Sequence, residues 1–419
     1  MQRFTSALTA FILLAQLQFA FASPQETKKT DTQLQLTPEQ WRQDLQYLAK
    51  ELPRRHKNAF HTVSREQFER SVADLNARIP NLQPHEIVVE LMRIVASIGD
   101  AHTELSGFGA SFHRFPLSVF WFDKELRVTR IASAYKSAIG ARVMQVGDLR
   151  IEDATARLDP LIPHENEYWV RFRGAGYMTY AEILHAAKVI PDSKIAQWTF
   201  EDSNGKRFSL NIPTVEPGQT IEWVDATDEL PLYRQRPDEQ IWFTHLADAK
   251  TIYVNFRGYR DEFDKHAEEL LTFIRQHPEN RLIIDMRQNR GGDFTKVRKQ
   301  LLPGLKQNSW WRKPGSLFII IGRATQSAAV VNTIDFRKEL NATVVGEPTG
   351  GRPNGYSEHG DFKLPNSKLV VGYSSRYYKF QDEDTPAVMP DKLIEPEWDA
   401  YRAGRDPVME WILAQPLPK

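Results

Sequence analysis

Two apolar runs in the second half of the chain, Leu-Ile-Ile within Arg281-Leu-Ile-Ile-Asp-Met286 and Leu-Phe-Ile-Ile-Ile within Gly315-Ser-Leu-Phe-Ile-Ile-Ile-Gly322, constrain the fold more than any other feature. A strand that is apolar on both faces must be covered on both faces, which is the signature of a parallel sheet sandwiched by helices. The flanking pattern agrees. Thr251-Ile-Tyr-Val-Asn-Phe256 and Thr343-Val-Val-Gly346 read as further strands, and amphipathic helices are expected over 263–276, around 294–307 and over 327–340. Strand and helix alternate throughout, so residues 221–419 are predicted to form an α/β core of βαβ units.

Upstream the texture differs. Thr37-Pro38-Glu39-Gln40 and Ser64-Arg-Glu-Gln67 have the form of capped helix starts, and a third helix begins near Gln83. Residues 38–110 are therefore read as a small helical subdomain. Over 111–220 alternating runs dominate, with Asn204-Gly205 between two of them as a hairpin signal and a short helix within 135–162. This stretch is read as a mixed, strand-rich module. At the N-terminus, Arg3, an apolar run from Ala7 to Phe21 and small residues at 20–22 have the grammar of a cleaved secretory signal over 1–22, with cleavage after Ala22 or Ser23. A polar linker follows over 23–37. Gln16 and Gln18 break the apolar run, which falls short of the roughly 20 residues a membrane span needs. The expected protein is exported, to the periplasm or the extracellular medium, without a membrane span once the leader is removed.

Composition narrows the chemistry. Among 419 residues, Lys plus Arg and Asp plus Glu each number 54, so no global field favours nucleic acid. Cysteine is absent, which removes disulfides, thiolate metal sites and cysteine nucleophiles together. His85-Glu86 and His164-Glu165 lack the second His of a zincin, Gly-x-Ser-x-Gly is missing, and Gly107-Phe-Gly109 is an incomplete dinucleotide loop. Neither metal nor cofactor is expected.

Ligands of open α/β sheets gather beyond the carboxyl ends of the strands, and three such ends carry unusual residues. Asp285 to Gly292 ends in Gly291-Gly292, which serves either as an anion cradle of backbone N–H groups or as a tight turn. In Gly322-Arg-Ala-Thr-Gln-Ser327, the serine at a helix start is either a nucleophile near the positive helix terminus or a plain N-cap. Gly346-Glu-Pro-Thr-Gly-Gly-Arg352 is a site-building loop or an irregular crossover. Of the eleven histidines, His102 in Gly99-Asp-Ala-His-Thr103 is the best candidate base, with an ordinary surface histidine as the alternative. Trp310-Trp311 reads as packing.

Together, Ile98-Gly-Asp-Ala-His-Thr103, Leu282 to Gly292, Thr325-Gln-Ser-Ala-Ala329 and Val345-Gly-Glu-Pro-Thr-Gly-Gly351 resemble the tail-specific (C-terminal processing) serine proteases, in the branch that shares its core with tricorn protease. Met389-Pro-Asp391 and Gly404-Arg-Asp-Pro407 fit the same pattern, and Tyr135 to Gly147 looks like the PDZ-type module such proteins carry. The resemblance implies a crotonase-like, tail-specific-protease core, a Ser327 nucleophile, and an oxyanion hole from the N–H of Ala328 with Gly291 or Gly292. Where bacterial members place a lysine base, this chain has Arg352, which does not act as a base and is better suited to binding a substrate carboxylate. The tricorn branch uses a histidine, matched here by His102, and an acidic residue whose nearest match is Asp384 beside Asp382 and Glu383; its serine before the histidine is Ala101 here. The activity so implied is an exported serine endopeptidase acting on peptides or proteins. A catalytically silent ligand-binding relative and a hydrolase of other esters are the competing readings.

Overall fold

The computed structural model describes residues 34–418 apart from 110, 261 and 279; the expected leader, and the linker up to residue 33, lie outside them. Helices α1 (Pro38–Arg55), α2 (Arg65–Arg78) and α3 (Pro84–Ala96) start where the sequence places them. Thr37 and Ser64 each form a reciprocal capping box with a glutamine three residues on. A short strand β1 (Leu105–Ser106) follows the turn that carries His102.

Strands β2 (Leu117–Phe122), β3 (Glu125–Ala132), β4 (Arg142–Val146) and β5 (Leu149–Arg150) come next. Three helices separate them from the rest of their sheet: α4 (Ile151–Leu158), α5 (Glu167–Tyr177) and α6 (Ala181–Ala186). Strands β6 (Ile195–Glu201) and β7 (Arg207–Pro213) form the hairpin signalled by Asn204-Gly205, with Gly205 at φ +77° and Asp202 accepting N–H bonds across the turn. With β8 (Trp223–Asp225) they complete a seven-stranded sheet ordered β2-β3-β4-β6-β7, in which β5 pairs with β4 and β8 with β3. Helices α5 and α6 are absent from the sequence reading. Asn166 caps α5 by accepting the Trp169 N–H.

The core sheet runs through β9 (Ile241–Leu246), β10 (Thr251–Phe256), β11 (Arg281–Asp285), β12 (Leu317–Ile321) and β13 (Thr343–Gly346). Helix α7 (Phe263–Gln276) joins β10 to β11. Two short helices, α8 (Phe294–Lys296) and α9 (Leu302–Lys306), flank a π-turn, and α10 (Ala328–Leu340) joins β12 to β13. Beyond it lie the long hairpin β14 (Asn354–Lys363) and β15 (Val370–Lys379), then β16 (Lys392–Leu393), α11 (Trp398–Arg402) and α12 (Pro407–Leu413). The six-stranded order is β16-β13-β12-β11-β10-β9, parallel except for β9. Strands β11 and β12 are buried at every position, as their apolar runs require. Trp310 and Trp311 are buried against this core.

The apolar packing groups these elements differently from the sequence. One continuous core joins α1–α3, the seven-stranded sheet and the β14–β15 hairpin, and so runs across the 110/111 boundary. The parallel sheet has its own cores, one on each face.

Candidate functional site

The three strand-end segments converge. Thr325 Oγ1 donates to the Met286 carbonyl and accepts the Gly322 N–H, while the N–H groups of Gly350 and Gly351 donate to the Thr325 carbonyl. Asn289, fully buried, donates through Nδ2 to the Phe256 carbonyl, and its own carbonyl accepts the Gln326 N–H. These bonds fix the turn in which Ser327 stands.

Ser327 adopts φ 55°, ψ −125°, and its side chain caps no helix N–H. A non-glycine residue in this region is held there at a cost of about 1–3 kcal/mol. The strain turns the hydroxyl away from the end of α10 and into a cleft of about 650 Å³. There Ser327 Oγ stands 2.9 Å from His102 Nε2, 225 positions away in the chain.

His102 is placed by a buried carboxylate. Asp100 accepts hydrogen bonds from His56 Nε2 (2.8 Å), Thr103 Oγ1 (2.8 Å), Ser374 Oγ (2.7 Å) and the His102 backbone N–H (3.1 Å). Because His56 Nδ1 accepts the Asn58 N–H, the proton of that ring sits on Nε2 and is donated to Asp100. Burial pushes the Asp100 carboxyl up, but the hydrogen bonds from His56 and Ser374 outweigh it and hold the group below its ordinary value. The β1–β15 pairing, Leu105 to Val371 and Ser106 to Val370, then zips the segment after His102 onto the hairpin.

Burial lowers the His102 imidazole below its ordinary value, against the pull of Asp100. The ring is therefore neutral at neutral pH, as a base must be. Its Nδ1 is buried and makes no hydrogen bond among the described residues, although the Tyr356 backbone favours the protonated ring. Ser357 Oγ lies 3.4 Å from Nε2.

The cradle is asymmetric. A Cβ on Gly291 would sit 2.6 Å from Ser327 Cβ and 3.0 Å from the Ala328 nitrogen, so only glycine fits, at φ +97°. The Gly291 N–H, however, donates to Asn289 Oδ1 at 2.9 Å. Among the described residues nothing accepts the N–H of Gly292 or Ala328, and both residues line the cleft. Of the two glycines, Gly292 is the one with a donor to offer.

The structure does not bring Asp384 to His102. Asn354 Nδ2 donates to the carbonyls of Gln381 and Glu383, which shapes the loop so that the exposed Asp384 carboxylate meets Arg352 at 2.6 Å. That pairing also occupies the guanidinium read as a substrate-carboxylate binder. Glu165, by contrast, lines the cleft with His102 and accepts the Arg352 N–H at 3.1 Å. Burial pushes its carboxyl up to about 7; the Arg352 N–H opposes the shift and the charge of Asp100 adds to it. In sequence Glu165 showed only as half of a broken zincin motif. The signals for His56 and Ser374 are weaker still, since each acts through Asp100.

Fold and site together define a mixed α/β protein with a hydroxyl–imidazole pair at a strand-to-helix turn and free backbone donors beside it. Among solved structures, the chain shares the fold of mature CPAF, alone and complexed with lactacystin, at a TM-score of 0.60 and 12% identity. The superposition with the lactacystin complex covers 90% of this chain and 97% of that one. Tricorn protease (TM-score 0.42, 13% identity, 90% of this chain and 36% of that one) and the photosystem II D1 C-terminal processing protease (0.36, 13%, 86% and 93%) superpose too loosely to argue from. No family model matches the chain, and no curated protein matches it. Among the described residues, no helix is long and apolar enough to cross a membrane.

Proposed function

We propose that the protein is an exported serine endopeptidase. The observation that carries this reading is the 2.9 Å contact between His102 Nε2 and a Ser327 hydroxyl held in strained backbone. Ser327 Oγ attacks the scissile carbonyl carbon and its proton passes to His102 Nε2. Negative charge develops on the carbonyl oxygen, where the N–H groups of Ala328 and Gly292 and the positive end of the 13-residue α10 stabilise it. As the C–N bond breaks, His102 returns the proton to the leaving amine. Water, deprotonated by the same imidazole, then releases the acyl group.

The shared CPAF fold supports a core of the tail-specific-protease type, with the crotonase-like βαβ arrangement and the tricorn-like branch as finer readings of it. Strands β2 to β7 of the seven-stranded sheet, which fall within 111–220, support a PDZ-like module there. Export rests on the leader grammar of residues 1–22.

One observation favours a second reading, a silent relative that binds peptides or small ligands: His102 Nδ1 has no acidic partner among the described residues. An active-site serine probe and a peptide-library digest separate the two. Labelling and turnover in the wild type, both abolished by Ser327→Ala and turnover reduced at least about 1,000-fold by His102→Ala, establish the peptidase. Equal turnover in all three proteins ends the mechanism, and no labelling with retained peptide binding establishes the binder.

A further inference from the structure

We propose that the groove beside the Gly291 cradle is a substrate-binding site that selects extended peptides carrying acidic side chains. This deepens the peptidase reading and rests on it for the identification of the ligand as a peptide.

The groove, about 910 Å³, runs between β2, helix α5 and the segment from Val215 to Trp223. Strand β2 is the outer strand of its sheet, paired among the described residues only with β3. Four arginines line the groove, Arg114, Arg130, Arg173 and Arg290, against the single carboxylate of Glu216. Glu216 itself is turned to His113 at 3.3 Å. Arg173 and Arg130 are partly balanced by Glu104 (3.3 Å) and Asp225 (3.5 Å). Arg114 and Arg290 have no carboxylate partner among the described residues; each lies over a ring instead, Arg114 on Tyr180 at 4.1 Å and Arg290 on Phe172 at 5.1 Å. Burial and the charge of Arg173 both lower the Arg290 pKa, so the crowding of like charges is felt at that guanidinium. A carboxylate entering the groove relieves this repulsion and forms a charge-assisted bidentate pair.

Position ties the groove to the chemistry. Arg290 immediately precedes Gly291, whose backbone packs on Ser327, so adjacent Cα atoms about 3.8 Å apart belong to groove and cradle. On this proposal, a chain whose scissile carbonyl lies at Ser327 continues past Arg290 into the groove, although the cleft and the groove share no lining residue and only this adjacency in the chain joins them. Two features favour a peptide over a single-stranded nucleic acid, the other polyanion that arginines and rings would suit. The formal net charge of the protein is zero, and the adjoining site carries acyl-transfer groups.

The test uses the full chain with Ser327→Ala, so that binding is read without turnover. The ligands are fluorescent peptides of one length with amidated C-termini, bearing either three glutamates or three glutamines. The glutamate peptide is expected to bind at least about tenfold more tightly at low salt, with that ratio collapsing toward one in Arg290→Gln and in Arg114→Gln and largely retained in Arg290→Lys. Comparable melting temperatures of the variants exclude misfolding as the cause. Equal affinity for the two peptides overturns the proposal, and so does a preference that survives Arg290→Gln. It falls equally if the glutamine peptide made with a free C-terminal carboxylate binds as tightly as the amidated glutamate peptide, or if an oligonucleotide occupies the groove more tightly than the glutamate peptide. Wild-type turnover separates the two readings. Cleavage of both peptides at equal kcat/KM removes the acidic preference and leaves the peptidase standing. Selective binding without cleavage removes the peptidase and leaves the groove.

Discussion

Ser327 holds strain that a smaller residue does not feel. At φ 55°, ψ −125° a Cβ is crowded by backbone, and glycine occupies that region freely. Ser327→Gly is therefore expected to abolish turnover while leaving stability unchanged or raising it by up to about 1 kcal/mol, since the relief of strain is partly offset by the greater freedom of glycine in the unfolded chain. Urea denaturation checks this, and a loss above about 1 kcal/mol contradicts the strain argument. Glu165 makes a pH-dependent prediction. Its folded pKa of about 7 lies above the ordinary 4.5, so the native state holds a proton that the unfolded chain has released. Its contribution to stability is favourable at and below pH 4.5 and is lost as pH rises through 7. Glu165→Gln keeps an acceptor for the Arg352 N–H and carries no charge. It should stabilise the protein by about 1–3 kcal/mol at pH 8 and change little at pH 4.5. Denaturation at the two pH values reads the difference; equal effects at both place Glu165 in a more solvated setting.

At the scale of elements, the β14–β15 hairpin completes what the core sheet begins. It carries Ser374 to Asp100 and Ser357 to His102, and its pairing with β1 closes the turn between them. Asp100→Ala leaves His56 Nε2–H and two hydroxyls without their acceptor and is expected to destabilise the fold by about 2–4 kcal/mol. Because the Asp100 carboxyl sits below its ordinary 3.8, the stability it supplies is present at neutral pH and disappears as pH falls below about 4. The wild type should therefore approach the variant in stability on acidification, and a constant gap down to pH 2 would refute the role of the charge. The elements differ in how far they show in sequence. Strands β11 and β12 announce themselves because burial on both faces leaves an unbroken apolar run, and Thr37 and Ser64 announce helices because a cap is a local device. The hairpin is invisible by the same criteria. Over Asn354–Lys363 and Val370–Lys379, polar and aromatic residues mix without a clean alternation, and its burial is set by distant α1 and β1. The site divides likewise. Ser327, His102 and the glycines lie in compact motifs, whereas Glu165 and Asp100 act through partners 187 and 274 positions away, a relation that local spacing does not encode.

Across the whole molecule, the cleft exists only where the two main bodies meet, since His102 belongs to the core shared by the helices and the seven-stranded sheet and Ser327 to the parallel sheet. Arg323, four residues before the serine, is one of the ties between them. It is 5% exposed, donates to the Trp121 carbonyl of β2 at 3.1 Å, lies over the Phe120 ring at 4.9 Å and pairs with Glu347 at the end of β13. One guanidinium thus satisfies a sheet-edge carbonyl from one body and a largely buried carboxylate from the other. Arg323→Met removes the charge but keeps an apolar stem, so Glu347 is left uncompensated and the Trp121 carbonyl unpaired. Breaking a buried pair in this way costs about 3–5 kcal/mol. Much of that penalty belongs to the stranded carboxylate, so adding Glu347→Gln should recover part of it, and the two changes will not be additive. The loss falls on the contact between the bodies, so calorimetry of Arg323→Met should show the unfolding endotherm broadening or splitting in two. Peptide turnover should fall further than global stability accounts for, because the His102–Ser327 distance depends on that contact. A single, sharp transition with turnover unchanged would mean that the remaining ties, such as Asn166 Nδ2 donating to the carbonyls of Thr349 and Pro386, hold the two bodies in register on their own.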